Sequence, residues 1–322
     1  MAAKTARLAC AMIASNYTGN MLQPQHFTHA TLIRIASYAS VITALVLITA
    51  KLVAWFLSDS ISILASLIDS SLDFLASLVN LLAIRHALQP ADKEHRFGHG
   101  KAEPLAAVGQ SMFIAGSAVM LLFQASGRLA DPQPLRTGID VGIMIMIMSI
   151  VITIGLLLLQ RYVIRQTASA AIRADALHYQ SDLLVNISVI AALLLSQSGF
   201  VWFDPLIAVL IALYVLFSAW QILRDAIDLI MDHEIADSER QRIKDVVMQH
   251  KLARGIHDLR TRKSGMTVFI QFHLELDPTL SLQQAHQVSR EINQQVLSLF
   301  DDAEVLIHQE PVNKSSSQQS TF

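Results

Sequence analysis

The sequence predicts a multi-pass α-helical membrane protein with six transmembrane helices and a C-terminal cytoplasmic α+β domain. Hydrophobic residues make up 53% of the 322 residues and charged residues only 16%, whereas soluble proteins contain about 25% charged residues. The apolar residues concentrate between residues 35 and 223, in runs of about 20 that can cross a bilayer as helices. After residue 231 the charge density becomes that of a soluble domain.

Six apolar runs are long enough to span a membrane. They cover residues 35–57, 61–84, 104–130, 141–159, 174–195 and 205–223. Lysine and arginine concentrate in the connections after the second and fourth runs and in the segment after the sixth. Since positively charged loops usually face the cytoplasm, both termini are expected to be cytoplasmic.

Changes in polarity divide the chain into four parts. They are an N-terminal extension (1–30), a six-helix transmembrane domain (31–230), a cytoplasmic domain (231–312) and a Ser/Gln-rich tail (313–322). The extension is expected to be poorly ordered and the tail disordered. Met21 is a second candidate start of translation beside Met1.

The segment after residue 231 has the apolar periodicity of a helix, two strands, a helix and a strand. These elements are expected at residues 236–250, 255–262, 266–276, 280–300 and 304–308. Lys263–Gly265 form the turn between the first two strands, and Ser281 opens the second helix. The order αββαβ predicts a small two-layer α+β domain.

The composition and the missing motifs exclude several functions. A net charge of −2 provides no basic field for nucleic acid. Cys10 is the only cysteine, which excludes an internal disulfide and a thiolate zinc cluster. The sequence contains no HExxH, GxSxG or GxxxxGK(S/T) stretch, so we expect no metalloprotease, serine hydrolase or ATP-driven pump.

Charged residues inside two of the apolar runs indicate a metal site. Asp69 and Asp73 lie four residues apart in the second run, as do His178 and Asp182 in the fifth, so each pair shares one helix face. A carboxylate inside the membrane costs a few kcal/mol, unless a cation compensates it. Three carboxylates and one imidazole can surround Zn²⁺, Fe²⁺, Mn²⁺, Co²⁺ or Cd²⁺. Acids in helix packing or at the interface are the alternative, and Asp175 is interpreted as interfacial.

A second group of ligand types lies in the connection ADKEHRFGHGKAE. Asp92, His95 and His99 are spaced by three and four residues, so their side chains can converge on one ion. Gly98 and Gly100 flank His99 and favour a tightly folded loop. The alternative is a solvated polar loop.

A third group lies in the cytoplasmic domain. It comprises His257, His273, His286, His308 and Glu310. His308 and Glu310 are two residues apart on the last strand and therefore point to the same face. Surface histidines are the alternative here, and the remaining histidines, His86 among them, are interpreted as surface or interfacial residues.

These segments together resemble the cation diffusion facilitators, most closely the bacterial zinc and iron efflux pumps of that family. The matching stretches are SILASLIDSSLDFLASLVNLLA, LQPADKEHRFGHGKAEPLAA, ADALHYQSDLLVN, HDLRTRKSG, FIQFHLELD and VLIHQEP. They extend from Ser62 to Pro311, and their joint presence is specific although each alone is weak.

The resemblance implies a homodimer in the bacterial inner membrane with a metallochaperone-like cytoplasmic domain that binds metal and mediates dimerisation. It implies efflux of a divalent metal in exchange for protons by alternating access. Zn²⁺ is the expected cargo and structural ion, with Fe²⁺ or Cd²⁺ as alternative substrates. A membrane-bound metal sensor and an intramembrane hydrolase remain as other functions. A sensor needs no ligands within the membrane, and four protein ligands leave little room for the metal-bound water that a hydrolase requires.

The resemblance also implies roles for individual residues. The transport site would be Asp69, Asp73, His178 and Asp182, the loop site Asp92, His95 and His99, and the cytoplasmic binuclear site His257, His273, His286, His308 and Glu310. Leu177 matches a residue of the apolar gate, and Lys101 and Asp232 match an interdomain charge pair. The family usually has Asp where this chain has Glu310.

Overall fold

A computed structural model of the chain describes residues 24–58, 61–130, 140–196 and 203–312. Six long helices precede a smaller domain of two helices and three strands within these ranges. The long helices are α1 (Pro24–Ser58), α2 (Ile61–Ala87), α3 (Ala102–Ala130), α4 (Asp140–Thr167), α5 (Ala170–Ser196) and α6 (Phe203–Ile230). The smaller elements are α7 (Asp237–Met248), β1 (Ala253–Ser264), β2 (Thr267–Leu276), α8 (Leu282–Leu297) and β3 (Ala303–Pro311). The predicted fold class is confirmed.

Five of the described helices, α1, α2, α3, α4 and α6, are long and apolar enough to cross a membrane. The part of helix α5 whose side chains are described is not among them, since it contains the polar residues between Asp175 and Asp182. It nevertheless contacts all five other long helices. Because α5 lies at the centre of the bundle, its polar side chains face protein more than lipid.

Several helices extend beyond the apolar runs from which they are predicted. Helix α1 begins at Pro24, so residues 24–30 are helical where poor order is expected. Proline suits the first position of a helix, where no N–H is needed. Helices α4 and α6 continue to Thr167 and Ile230 because a helix can extend past the lipid surface. Residues 1–23 and 313–322, for which disorder is predicted, lie outside the described residues.

The cytoplasmic domain packs two helices on one face of a three-stranded sheet. The strand order is β1–β2–β3, with β1 and β2 antiparallel and β2 and β3 parallel. Helix α8 is the crossover between the parallel strands and begins with a capping box formed by Ser281 and Gln284. The core contains Ile243, Val247, Ile270, Phe272, Leu274, Ile292 and Val296.

A close contact joins the two domains. The connection between α2 and α3 meets the turn between β1 and β2, where a Cβ on Gly100 would lie 2.5 Å from the backbone C and O of Ser264. Gly265 adopts a φ of +60° in this turn, which favours glycine. The Arg262 guanidinium lies 5.0 Å from the ring centroid of Phe97. The connection is therefore fixed against the cytoplasmic domain.

Candidate metal centres

A buried imidazole between two helices forms the centre of the transmembrane cluster, made of Asp73, His178 and Asp182. Nε2 of His178 lies 3.0 Å from Oδ1 of Asp73 on α2 and 3.7 Å from Oδ2 of Asp182 on α5. His178 is only 4% exposed, and one ligand atom from each residue fits within 4.8 Å of the others. The three side chains can therefore hold one divalent metal. Asp69 lies one turn before Asp73 on α2, and its side chain is outside the described part of the structure.

Apolar side chains cover one side of this cluster. Leu177 is 5% exposed and belongs to the cluster of buried apolar residues that α3, α5 and α6 form, together with Ile114 and Val215. The ring centroid of Phe113 lies 6.0 Å from that of His178. These apolar neighbours lower the local polarity around the buried imidazole, so charges close to His178 interact more strongly than they would in solvent.

A buried hydrogen-bond network lies one helical turn from His178. Asp175 is completely buried and accepts hydrogen bonds from Ser40 Oγ on α1 at 2.5 Å and from Gln160 Nε2 on α4 at 2.7 Å. Tyr179 donates to the backbone carbonyl of Ser40 at 3.0 Å. The network connects α5 to α1 and α4. The interpretation of Asp175 as interfacial was wrong, because neighbouring helices cover it.

The loop cluster comprises Asp92, His95 and His99. Nε2 of His99 lies 3.4 Å from Oδ2 of Asp92, and Nδ1 of His95 lies 3.6 Å from Oδ1. The backbone N–H of His95 lowers the pKa of the Asp92 carboxyl below its usual range, so the carboxylate is charged and available to a cation. The φ of +78° at Gly98 supports the tight fold that the flanking glycines predict.

His86, at the end of α2, joins the rings around His99. Its ring centroid lies 4.5 Å from that of His99, and the ring centroid of His95 lies 4.6 Å from that of His99. Sequence reasoning left His86 as a surface residue. No periodic signal connects His86 with His99, because a helix end and a loop bring them together.

The cytoplasmic cluster is formed by side chains at paired positions of neighbouring strands. His257, His273 and His308 are direct neighbours on β1, β2 and β3, with ring centroids 5.1 and 4.8 Å apart. Glu275 and Glu310 form the next rung on the same face. The alternation of strand side chains thus places a row of imidazoles beside a row of carboxylates.

Glu310 contacts all three of these histidines. Its Oε1 lies 2.8 Å from Nδ1 of His273 and 3.5 Å from Nε2 of His308, and its Oε2 lies 3.3 Å from Nε2 of His257. Because the two oxygens face different imidazoles, the carboxylate can bridge two ions. The longer side chain of Glu310, compared with the Asp usual in the family, is compatible with this geometry.

Two acids that sequence reasoning missed also reach the cytoplasmic cluster. Oε1 of Glu275 lies 3.1 Å from Nδ1 of His257, and Oδ2 of Asp258 lies 3.8 Å from Nε2 of His273. A Cβ on Gly255 would lie 2.6 Å from Oε2 of Glu275, so the glycine provides the space for this carboxylate. The pattern His-x-Glu in both β2 and β3 is the signal that could have identified Glu275.

The described contacts of the single chain do not bring His286 into this cluster. His286 lies on α8 and lines a surface cavity of about 490 Å³ together with Ile307 and Gln309. On β3 these two residues alternate with His308 and Glu310 and thus point to the opposite face of the sheet. A role for His286 in metal binding stays a prediction.

The interdomain charge pair lies beside the contact between the domains. Nζ of Lys101 is 2.6 Å from Oδ1 of Asp232, and Nη1 of Arg262 is 3.5 Å from Oδ2 of the same carboxylate. A hydrogen bond from Lys101 lowers the pKa of the Asp232 carboxyl. The Asp232 carboxylate therefore stays charged at neutral pH, and the pair connects the start of α3 to the end of α6.

Comparisons with known proteins cover most of the chain. The family model "Cation efflux transmembrane domain" matches residues 37–231, and the model "Cation efflux protein, cytoplasmic domain" matches residues 235–312. The Cation-efflux pump FieF of Shewanella oneidensis is 50% identical over 280 residues, which cover 87% of this chain and 94% of the relative. The protein of the same name from Serratia proteamaculans is 46% identical over 290 residues, 90% of this chain and 95% of the relative. A solved variant of MamM CTD is 22% identical and covers 24% of this chain and 96% of its own, with a TM-score of 0.23.

Proposed function

Because the chain belongs to the cation efflux family, and so is a multi-pass membrane transporter of divalent metal cations rather than an enzyme, we propose that it exports Zn²⁺ from the cytoplasm in exchange for protons. The observation that carries this proposal is the contact of the buried His178 imidazole with Asp73 and Asp182. One nitrogen among carboxylate oxygens suits Zn²⁺ better than Mg²⁺ or Ca²⁺. Asp69 is proposed as the fourth ligand.

The chemistry of these ligands supports exchange of the ion for protons. Imidazole and carboxylates bind a metal only when deprotonated, so protons and the ion compete for the same atoms. Histidine is the side chain whose ordinary pKa lies closest to neutral, which makes His178 the expected proton carrier. Protons arriving from outside would displace the ion and be carried inward.

Division of the site between α2 and α5 supports alternating access. Asp73 comes from one helix and His178 and Asp182 from the other, so a relative movement of the helices changes the distances between ligands. Such a movement would release the ion outside, with Leu177 as part of an apolar gate. The Lys101–Asp232 pair would hold the cytoplasmic domain to the membrane domain during this movement.

The cytoplasmic and loop clusters are proposed as sites for ions that are not transported. Zn²⁺ bound to His257, His273 and Glu310 would offset carboxylate repulsion and favour dimerisation through the cytoplasmic domain. His286 would contribute to such a site only from a second protomer or after a rearrangement. We propose a homodimer in a bacterial inner membrane with both termini cytoplasmic, and with the domain limits 31–230 and 231–312.

Zinc flux into proteoliposomes with an imposed proton gradient tests the transport proposal. Wild type is compared with Asp73→Asn and His178→Gln. His250→Gln serves as a control, since it removes an imidazole of the cytoplasmic domain that contacts Glu291 and accepts a hydrogen bond from the Leu252 backbone N–H, outside the three clusters. Loss of a residue that supports a metal ligand typically lowers metal affinity or activity 10- to 100-fold, and loss of a ligand itself should cost at least as much. We therefore expect the flux of both site variants to fall by about 100-fold or more, while the control variant keeps the wild-type flux.

Turnover separates the transporter from the metal sensor. A transporter moves many ions per protein, and its flux reverses with the proton gradient. Stoichiometric binding without flux in either direction would contradict transport, and flux that ignores the gradient would contradict proton exchange. Repeating the measurement with Fe²⁺, Cd²⁺ and Mn²⁺ identifies the preferred cargo.

A further inference from the structure

His86 lies where a fourth ligand of the loop cluster is needed. The cluster of Asp92, His95 and His99 offers three ligands, whereas protein sites that hold zinc permanently are usually closed by four. His86 is on the last turn of α2, and its ring meets the ring of His99 at 4.5 Å with an angle of 64° between the planes. His99 thus lies against two other imidazoles.

The spacing of these rings is close to that around a metal. Two imidazoles on one tetrahedral zinc, with Zn–N bonds of about 2.0 Å, have ring centroids about 5 Å apart. The centroids of His86 and His95 lie 4.5 and 4.6 Å from that of His99. His86 is exposed, so its ring can turn a nitrogen toward an ion without disturbing packed neighbours.

The state of His99 also indicates a ligand. Its side chain is 4% exposed, and Nδ1 is buried without a hydrogen-bond partner in the described residues. A buried polar atom without a partner is costly, and coordination or a new hydrogen bond on metal binding would remove that cost. The charged Asp92 carboxylate, 3.4 Å from Nε2 of the same ring, supplies the negative charge for a cation.

We propose that His86 completes the loop site as the fourth ligand of a bound zinc ion, which then fixes the cytoplasmic end of α2. This inference rests on the proposed loop site and not on transport itself. His86 belongs to α2, while Asp92, His95 and His99 belong to the connection that follows. The ion would close a link from the helix that carries Asp73 to the loop that contacts the cytoplasmic domain.

Zinc titration of full-length protein tests the assignment. The other two clusters are first disabled by His178→Gln and His273→Ala, so that only the loop site can bind. In this background we compare His86→Ala with Arg85→Ala, a matched control that removes an exposed neighbour on the same turn. Since loss of a supporting residue already costs 10- to 100-fold in affinity, we expect His86→Ala to weaken zinc binding by at least about tenfold and Arg85→Ala to leave it unchanged.

Cobalt spectroscopy supplies a readout that a merely structural histidine would not affect. Tetrahedral Co²⁺ absorbs visible light strongly, and replacement of an imidazole by water weakens the absorption severalfold. We expect this loss in His86→Ala and its recovery in His86→Cys, because a thiolate also binds the ion. Unchanged affinity and spectrum in His86→Ala would overturn the proposal, as would the absence of zinc binding in the background protein.

Hydrogen exchange tests the consequence for α2. Zinc should slow amide exchange at residues 84–87 in the background protein and not in its His86→Ala derivative. Equal slowing in both would overturn the fixation of α2. Because none of these measurements requires flux, loss of the transport proposal would leave this one standing, and the reverse also holds.

Discussion

The transmembrane and cytoplasmic clusters use the same ligand types, but different secondary structure holds them. Asp73 and His178 lie on separate helices, which only side chains connect at this point. His257, His273 and His308 lie on strands whose backbones are hydrogen-bonded to one another. Two helices can separate without breaking backbone hydrogen bonds, whereas two paired strands cannot. The first arrangement suits an ion that must be released, and the second an ion that stays.

The histidines of the two clusters differ in burial in the same direction. The side chain of His178 is 6% exposed, against 40% for His257 and 65% for His308. Unpaired charges are far more costly in the buried site. The charges around His178 must therefore be neutralised by either a metal or protons. Water screens the charges of the cytoplasmic cluster.

Removal of the central imidazole from each cluster should produce opposite phenotypes. His178→Ala is expected to abolish zinc flux, by about 100-fold or more, with cytoplasmic binding unchanged. His273→Ala should weaken zinc binding by the cytoplasmic domain while saturated flux stays within about threefold. Flux assays and zinc titrations on both variants measure this, and equal loss of flux in the two variants would break the comparison.

The buried network around Asp175 should matter more for stability than a single hydrogen bond elsewhere on α5. Gln160→Leu removes the donor that lies 2.7 Å from the fully buried Asp175, which should cost about 1–3 kcal/mol. Gln180→Leu, at a half-buried position whose side chain donates to the Tyr214 hydroxyl among the described residues, should change stability by less than about 0.5 kcal/mol. Thermal unfolding in detergent compares the two. Equal unfolding temperatures of the two variants would show that the buried network does not hold α5 to α1 and α4.

A substitution at Gly255 on β1 can displace the Glu275 carboxylate from the cytoplasmic cluster without replacing a histidine. Gly255→Ala places a Cβ where Oε2 of Glu275 now lies, 2.6 Å away, so the flexible carboxylate must move from His257. We expect a severalfold weaker zinc affinity in the cytoplasmic domain, comparable with loss of a supporting residue, at a stability cost below about 1 kcal/mol. Calorimetric titration and thermal unfolding separate the two effects. An unchanged affinity would exclude Glu275 from the site.

The smallest effect is expected at the charge pair between the domains. Asp232 is 46% exposed, so Asp232→Asn should cost less than about 1 kcal/mol. The φ of Asp232 is +59°, and asparagine tolerates this conformation as aspartate does. The pKa of Asp232 is lowered by the hydrogen bond from Lys101. The stabilisation is therefore present above the ordinary aspartate pKa of about 3.9 and is lost as pH falls through the lower folded value.

Stability measured at several pH values checks this sign. The wild type should exceed Asp232→Asn at pH 6–8 (~1 kcal/mol at most), and the difference should disappear in acid. Lys101 and Arg262 are the charged groups that face the carboxylate. A difference that grows as pH falls would contradict the assignment.

Local periodicity was enough to predict the elements, but it did not predict every contact. The spacing of three or four residues identified the pair His178 and Asp182, because both members lie on one helix. His86 and Glu275 were missed because their partners come from other elements, and only packing or strand register brings them together. Asp175 was misplaced because its distance from the end of an apolar run does not show which helices cover it. His286, predicted with the strand histidines, lies on α8, which packs on the other face of the sheet.

Helix α5 also has a consequence for biogenesis. A segment interrupted by Asp175, His178 and Asp182 would partition poorly from the translocon into lipid on its own. Ser40 on α1, Asp73 on α2 and Gln160 on α4 provide polar partners that lipid lacks. Helix α6, the most apolar of the five spans, follows α5 directly in the chain. Insertion of α5 is therefore a cooperative step in which helices already in the bilayer accept it and α6 retains it.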